Sequence, residues 1–217
     1  MTKRPDLRYE RRLWVTGLEA VAGVDEAGVG PMAGPVVAAA VIFAPETFIR
    51  GVHDSKQLTP EKREELFPVI QQRAHCFGIG VAEVEEIDRR NIYHATMAAL
   101  LRAVQALARE PQHVLVDGRR IPGLEIPQTR IVGGDRKSFC IAAASIIAKV
   151  TRDRLMRDYD VSYPDYGFAQ HKGYCTAEHL SAVERLGPSP IHRTSFSPVA
   201  MAAQLKLKLK IVDVDID

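Results

Sequence analysis

The sequence contains few cysteines, and they are not arranged as a metal site or a disulfide framework. Its 217 residues include three, Cys76, Cys140 and Cys175, which are widely separated and form no CxxC pair. This pattern argues against a disulfide-rich secreted domain and against a thiolate zinc site. We expect reduced and mostly buried thiols.

Long apolar segments are also absent. Charged residues interrupt every apolar stretch well before the roughly 18 residues that a membrane-spanning helix needs. The segment Met1-Thr2-Lys3-Arg4-Pro5 has no apolar signal core, and the chain shows neither an internal repeat nor a Gly/Ser-rich linker. With 46% hydrophobic and 26% charged residues, the composition is typical of a soluble globular protein. We therefore expect a cytoplasmic protein that does not associate with membranes.

The net charge is small. A formal charge of +2 does not by itself indicate a nucleic-acid partner, because dedicated binders are usually far more basic. Basic residues nevertheless crowd residues 1–19, which we interpret as a basic N-terminal arm, and the segment 136–157. Either solvated helix faces or phosphate-binding surfaces would explain these clusters. Their members are Lys3, Arg4, Arg8, Arg11 and Arg12, and then Arg136, Lys137, Lys149, Arg152, Arg154 and Arg157.

Hydrophobic periodicity predicts strands that alternate with helices. Short β-branched or apolar runs predict strands at 21–25, 36–43, 76–84, 113–117 and 129–132. Helical spacing and cap residues predict helices from Thr59 to about 73, at 91–109, from 138 to about 158, and at 176–186. Residues 163–173 read as an ordered loop. The first two strands are close enough for antiparallel pairing, so we predict an α/β fold with a mixed sheet.

The segment 201–217 forms an atypical tail. Leucines and isoleucine alternate with lysines from Leu205 to Ile211, and apolar residues then alternate with aspartates from Val212 to Asp217. Strict alternation favours a strand with one apolar face. Self-association through this tail and a flexible extension are both compatible with the pattern.

Four carboxylates stand where a predicted strand ends or a helix begins. Asp25 and Glu26 follow the first strand, Asp117 ends the fourth, and Asp135 comes after Gly133-Gly134. The ends of neighbouring strands converge in space, and hard divalent cations prefer carboxylate oxygens. Two such ions could activate water and stabilise a leaving oxygen. Each acid alone could instead be a helix cap, a turn residue or part of a solvated turn.

The turn Gly28-Val29-Gly30 follows these acids directly. Glycines on both sides of one residue let the backbone approach a ligand without a Cβ in the way. A tight connection between paired strands explains the same glycines equally well. No G-x-G-x-x-G or P-loop stands between a strand and a helix, so a nucleotide cofactor has little support.

The motifs occur in an order that identifies a family. The run from Val21 to Ala40, VAGVDEAGVGPMAGPVVAAA, is similar to the opening of ribonuclease HII. Further blocks resemble the later motifs of that family in the same order, so that the resemblance spans about 20–199. These blocks are Asp54-Ser55-Lys56, Val116-Asp117-Gly118, Gly134-Asp135, the segment 142–153, Tyr166-Gly167-Phe168, His171-Lys172-Gly173-Tyr174 and His192-Arg193.

The resemblance implies a fold and a reaction. It implies an RNase H-like mixed sheet flanked by helices, with a helical C-terminal portion, in a catalytic domain of residues 20–200. Asp25, Glu26, Asp117 and Asp135 match the acidic ligands of the family, which bind Mg²⁺ or Mn²⁺. The implied enzyme is a metal-dependent endonuclease. It would hydrolyse the RNA strand of RNA–DNA hybrids and nick duplex DNA 5′ of embedded ribonucleotides, leaving 5′-phosphate ends.

Substrate contacts also follow from the resemblance. Tyr174 matches a tyrosine that stacks near the sugar at the RNA–DNA junction, where the 2′-hydroxyl distinguishes RNA from DNA. Lys56, Lys172 and Arg193 are candidates for phosphate contacts, together with the turn Gly28, Val29 and Gly30. A buried core tyrosine and ordinary exposed basic residues are the structural alternatives. We expect a monomer.

Val29 departs from the family pattern, in which this turn reads Gly-Arg-Gly. Loss of a charge-assisted hydrogen bond costs roughly 1.5–3 kcal/mol, which predicts an impaired nuclease or one with an altered substrate preference. One alternative is a catalytically silent relative that only binds hybrids, although the four acids are intact. Another is a metal-dependent phosphatase for small molecules, which would leave the aromatic and basic residues after Tyr163 without a purpose.

Overall fold

The computed structural model describes residues 4–204. The alternating part of the tail, 205–217, lies outside the described residues, and its predicted strand stays a prediction. The chain forms two compact units. Unit 1 comprises residues up to 27, 36–82 and 96–152, and unit 2 comprises 28–35, 83–95 and the residues from 153 onward. The proposed boundaries after residues 19 and 200 stay predictions.

Unit 1 is built on a five-stranded mixed sheet. The strands are β1 (Val21–Ala27), β2 (Val36–Ile42), β3 (Cys76–Ala82), β4 (His113–Asp117) and β5 (Gln128–Ile131), in the order β3-β2-β1-β4-β5. β2 runs antiparallel to β1 and β3, whereas β4 runs parallel to β1 and β5. The predicted mixed sheet is confirmed, and the strand boundaries differ by a few residues at most.

Helices pack on this sheet through small residues. α2 (Pro60–Arg73) begins at the predicted cap, where Thr59 Oγ1 accepts a hydrogen bond of 3.3 Å from the Lys62 N–H. α4 (Phe139–Ser162) buries all of its residues from Phe139 to Ala148. Gly23 of β1 is required there, because a Cβ on it would lie 2.2 Å from the Cys140 carbonyl carbon.

The basic arm contains a helix that was not predicted, α1 (Arg8–Trp14). Its Glu10 is fully buried and caps the start of α4. Glu10 Oε1 accepts hydrogen bonds from Ser138 Oγ at 2.6 Å and from the Cys140 N–H at 2.9 Å. The arm is therefore part of the core of unit 1, because its one acidic helical residue satisfies donors at a distant helix N-terminus.

α3 begins earlier than predicted. It spans Val84–Gln105 and is kinked at Asn91, which has φ 66° and ψ 162°. Asn91 Oδ1 accepts a hydrogen bond from the His94 N–H at 3.1 Å, as a helix cap does. The predicted start at 91 is thus the start of the second helical stretch. The first stretch was missed because its sequence, VEEIDRR, has little apolar periodicity.

The described part of unit 2 includes the short helices α5 (Phe168–His171) and α6 (Ala177–Leu186), a helical run at 197–204, and small apolar clusters. The predicted loop 163–173 includes α5, and α6 is capped by Thr176 as expected. One cluster centres on Met156 and Phe168, and another on Met32 and Val183. Within residues 4–204, no helix is both long enough and apolar enough to cross a membrane.

Candidate metal centre

The sheet register brings three predicted acids to one edge. β1 and β4 are parallel with Val24 opposite Val116, so Asp25 and Asp117 leave adjacent strands at the same level. β5 is parallel to β4 and ends at Ile131, opposite Asp117. Four residues later, Asp135 lies in the short 3-10 helix Gly134–Arg136. The three carboxylates therefore gather at the carboxyl ends of β1, β4 and β5.

These acids are close enough to share a ligand. One carboxylate oxygen from each of Asp25, Asp117 and Asp135 lies within 4.8 Å of the others. Asp25 and Asp135 are buried, and Asp117 is half-buried. Glu26 is not a member of this group. Its carboxylate nevertheless interacts with the cluster, because it raises the pKa of Asp25 and Asp117 raises its own. Its predicted role as a metal ligand stays a prediction.

Two glycines allow Asp117 and Asp135 to approach. Asp117 Oδ1 accepts a hydrogen bond from the Gly134 N–H at 2.7 Å. A Cβ on Gly134 would lie 2.6 Å from Ile141 Cδ1, and Gly133 has a φ of 63°, which favours glycine. The Gly133-Gly134 pair therefore sets the approach of Asp135 to the end of β4.

The cluster resists ionisation. Burial and the neighbouring Glu26 and Asp117 carboxylates raise the pKa of Asp25 well above its usual range. Burial, then the charge of Asp117, raises the pKa of Glu26 to about 7. Burial, then Asp54, raises the pKa of Asp135 to about 6. A divalent cation bound to these oxygens would relieve the repulsion, so the donor set fits a hard metal ion.

Asp54 is a neighbour of the site that sequence reasoning missed. It is buried, and its Oδ1 accepts a hydrogen bond from the Lys56 N–H at 2.9 Å. Arg136 Nε lies 4.0 Å from Asp54 Oδ2 and 3.9 Å from Asp135 Oδ1. The family motif Asp54-Ser55-Lys56 was the available signal, but it drew attention to the lysine alone.

Lys56 lies close enough to the cluster to interact with it. Burial lowers its pKa and the carboxylates of Asp25 and Asp135 raise it, with a net rise. In return, its charge lowers the pKa of Glu26 and Asp135. Lys56 is exposed and can accept a further anionic partner, and its predicted phosphate contact stays a prediction.

Arg193, a predicted phosphate contact, is a buried residue that binds backbone carbonyls. It is fully buried in unit 2, and its guanidinium donates hydrogen bonds to the carbonyls of Gly28, Val29, Pro31 and Gly34. These bonds use its five N–H groups. Arg193 therefore holds the 28–34 turn, and its predicted phosphate contact stays a prediction.

The other predicted substrate residues of unit 2 are at its surface. The Tyr174 side chain is 44% exposed and Val29 is 38% exposed. A Cβ on Gly30 would lie 3.8 Å from Tyr174 Cε1, so the ring borders the glycine turn. Lys172 is half-buried with a φ of 52°, and its Nζ donates to the Ala169 carbonyl. Their contacts with nucleic acid stay predictions.

The raised carboxylate pKa values predict how metal binding depends on pH. Between about pH 4 and pH 7, folded Glu26 and Asp135 hold protons that the unfolded chain releases, so ionisation in this window destabilises the metal-free fold. Mg²⁺ must displace those protons. We expect the gain in melting temperature on replacing chelator by Mg²⁺ to be small at pH 5 and to grow up to pH 8.

Thermal unfolding monitored by circular dichroism measures this gain. Glu26→Gln is the control, because its side chain cannot ionise. In this variant, most of the increase in the Mg²⁺-induced gain in melting temperature should occur at lower pH, where Asp135 titrates. A Mg²⁺-induced gain that is equal at pH 5 and pH 8 would contradict the assignment of these carboxylates as metal ligands.

Comparison with known proteins identifies the family. The family model described as ribonuclease HII matches residues 22–199. A ribonuclease HII from Anaeromyxobacter sp. (strain Fw109-5) is 58% identical over 92% of this chain, and the alignment spans 63% of that protein. A ribonuclease HII from Geobacter sulfurreducens is 55% identical over 88% of each chain.

A solved structure agrees with the fold as well. The crystal structure of ribonuclease H2 from Pyrococcus horikoshii OT3 is similar, with a TM-score of 0.73 and 29% identity over 85% of this chain and 97% of that one. The RNase H-like fold predicted from the motifs is confirmed. The chain therefore belongs to the ribonuclease HII family, and the ribonuclease H enzyme class predicted from its motifs is that of its family.

Proposed function

We propose that this protein is a divalent-metal-dependent endonuclease for RNA–DNA hybrids. It would also nick duplex DNA on the 5′ side of embedded ribonucleotides. The supporting observation is the group of Asp25, Asp117 and Asp135, whose carboxylate oxygens lie within 4.8 Å of one another. Family membership supplies the substrate class. Because these acids are intact, the catalytically silent alternative is not favoured.

The side chains of unit 1 have distinct tasks in this proposal. Asp25, Asp117 and Asp135, with Glu26, would hold Mg²⁺ or Mn²⁺. Two such ions supply Lewis-acid activation of water and stabilisation of the leaving 3′ oxygen. Lys56 favours the ionised forms of Glu26 and Asp135, which are the forms that bind metal.

Unit 2 would supply recognition of the ribonucleotide. The exposed Tyr174 ring offers a stacking face for a sugar or base. Gly28 and Gly30 leave the backbone of the adjoining turn accessible for hydrogen bonds to a ribose or a phosphate. A 2′-hydroxyl can both donate and accept in such a site, whereas a deoxyribose cannot.

A DNA duplex that carries one ribonucleotide tests the proposal. We expect Mg²⁺- or Mn²⁺-dependent nicking 5′ of the ribonucleotide, with a 5′-phosphate on the product, and no cleavage of the all-DNA duplex or in the presence of chelator. Tight binding without nicking would support the silent relative. Hydrolysis of small phosphomonoesters without nicking would support the phosphatase.

Val29→Arg tests the effect of the departure from the family turn. We expect kcat/KM to rise about tenfold to a hundredfold, mainly through a lower KM, because the guanidinium adds a charge-assisted contact to the substrate backbone. Steady-state kinetics on the single-ribonucleotide duplex measure this rise. Val29→Leu is the control for side-chain size. An unchanged kcat/KM for Val29→Arg would show that the turn contacts substrate through its backbone alone.

The remaining expectations are proposals of the same kind. RNA–DNA hybrids and ribonucleotide-containing DNA are the proposed partners. The monomeric state, self-association through the tail and the cytoplasmic location stay predictions, and sedimentation of the full chain beside a chain ending at residue 204 would test the first two.

A further inference from the structure

Unit 2 buries two histidines in direct contact with each other. His179 of α6 and His192 have almost no exposed surface, and their Nε2 atoms are 3.0 Å apart. We call them the histidine pair. A bond between two ring nitrogens needs one proton, so one ring must donate and the other must accept. Which ring donates follows from their other partners.

A backbone donor determines the direction. The Ser189 N–H donates to His192 Nδ1 at 2.9 Å, so His192 Nδ1 carries no proton. Neutral His192 is therefore protonated at Nε2 and donates to His179 Nε2. His179 is then protonated at Nδ1 and donates to the Tyr174 carbonyl oxygen at 2.9 Å. Burial lowers the pKa of both histidines to about 4, which agrees with neutral rings.

A third histidine extends the same arrangement. The His171 ring stacks on His179, with centroids 4.0 Å apart and planes 15° from parallel. Its Nδ1 accepts a hydrogen bond from the Gly173 N–H at 3.1 Å, and its Nε2 lies 2.7 Å from the Tyr166 carbonyl oxygen. The backbone next to Tyr174 is thus bound by two imidazole rings, at the Gly173 N–H by His171 and at the Tyr174 carbonyl by His179.

The same C-terminal segment holds the glycine turn. Arg193, next to His192, binds the carbonyls of Gly28, Val29, Pro31 and Gly34. Residues that follow the glycine turn bind the backbone next to Tyr174, because the Met32 N–H donates a hydrogen bond to the Gly173 carbonyl at 2.9 Å. The exposed Tyr174 ring lies beside Gly30. Residues 189–193 are therefore linked to both parts of the protein that are proposed to contact the substrate, Tyr174 and the Gly28-Val29-Gly30 turn.

We infer that the histidine pair consists of positioning residues that set Tyr174 against the Gly28-Val29-Gly30 turn and thereby sharpen selection for a ribonucleotide. This inference rests on the proposed function, in which Tyr174 contacts the substrate. The pair touches no substrate itself. Its effect passes through one hydrogen bond, from His179 Nδ1 to the Tyr174 carbonyl.

Two substitutions at His179 separate its two hydrogen bonds. In His179→Asn, the side-chain amide can replace the Nδ1 donor to the Tyr174 carbonyl, but the variant lacks the hydrogen bond with His192. In His179→Gln, the side-chain oxygen can replace the Nε2 acceptor for His192, but the variant lacks the hydrogen bond to the Tyr174 carbonyl. Because each variant gives up one bond, both should lose similar amounts of thermal stability, and any difference in activity reports on Tyr174.

We expect His179→Gln to lower kcat on the single-ribonucleotide duplex about tenfold with little change in KM, which is the effect of one misplaced contact. His179→Asn should recover most of that loss. In a Tyr174→Ala background, His179→Gln should cost nothing further, because the two residues then act as one unit. Equal losses in the two variants, or a full tenfold loss without Tyr174, would overturn the inference.

A measurement without catalysis separates this inference from the proposed function. Histidine nitrogen NMR should show His179 protonated at Nδ1 and His192 at Nε2 near neutral pH. In protein labelled with fluorotyrosine, the Tyr174 fluorine signal should shift in His179→Gln and remain near its wild-type position in His179→Asn. Opposite tautomers, or shifts of equal size, would overturn the inference even in an active enzyme. An inactive wild type with these tautomers and shifts would count against the proposed function alone.

Discussion

Asp25→Asn is expected to abolish nicking and, at the same time, to stabilise the metal-free protein. Asp25 is 5% exposed and lies among like charges that raise its pKa well above the usual range. Loss of a metal ligand removes several kcal/mol of catalytic stabilisation, so kcat should fall about a thousandfold or more. Asparagine can still accept the hydrogen bond that Glu26 N–H donates to Asp25 Oδ1 at 2.8 Å.

The gain in stability has the same cause as the loss of activity. A neutral amide removes the free-energy cost of either ionising or protonating this buried carboxyl, which should add about 1 kcal/mol at neutral pH, or roughly 2–4 °C in melting temperature. Nicking assays and thermal unfolding in chelator measure the two effects. The exposed Glu110→Gln is the matched control and should change neither. A variant that loses activity but is less stable than wild type in chelator would contradict the repulsive cluster.

Arg193→Lys is expected to destabilise the protein although it keeps the positive charge. The buried guanidinium uses five N–H groups on four carbonyls, whereas an ammonium has three and cannot match their planar arrangement. At least one buried carbonyl then loses its donor, and the remaining bonds lengthen. We expect a loss of about 2–4 kcal/mol in the free energy of unfolding.

Arg193→Met should cost more, since it removes the donors to all four carbonyls. Urea unfolding followed by circular dichroism measures both losses in free energy of unfolding. The kcat/KM on the hybrid should also fall, because the 28–34 turn becomes less ordered. Arg185→Lys, at an exposed position on α6, is the control and should change stability by less than about 0.5 kcal/mol. Wild-type stability in Arg193→Lys would show that charge alone, without the five bonds, holds the turn.

Much of the fold followed from local patterns. The cap at Thr59 and the five strands depend on residues a few positions apart, and periodicity records such relations directly. The first stretch of α3 was missed because its apolar residues are too few to show a period. Helix α1 was read as a charged arm, since nothing near Glu10 in the sequence reveals that its carboxylate caps α4.

The sequence by itself determined the family and picked out four acids, of which Asp25, Asp117 and Asp135 gather within 4.8 Å at the sheet edge. Asp25, Asp117 and Asp135 were identified because carboxyl ends of neighbouring parallel strands meet, a rule that needs only strand positions. Only the tertiary structure decided that Asp54 lies beside this group, and that Arg193 and the histidine pair bind backbone groups. Those roles depend on hydrogen bonds and burial between residues far apart in the chain, which sequence spacing does not encode.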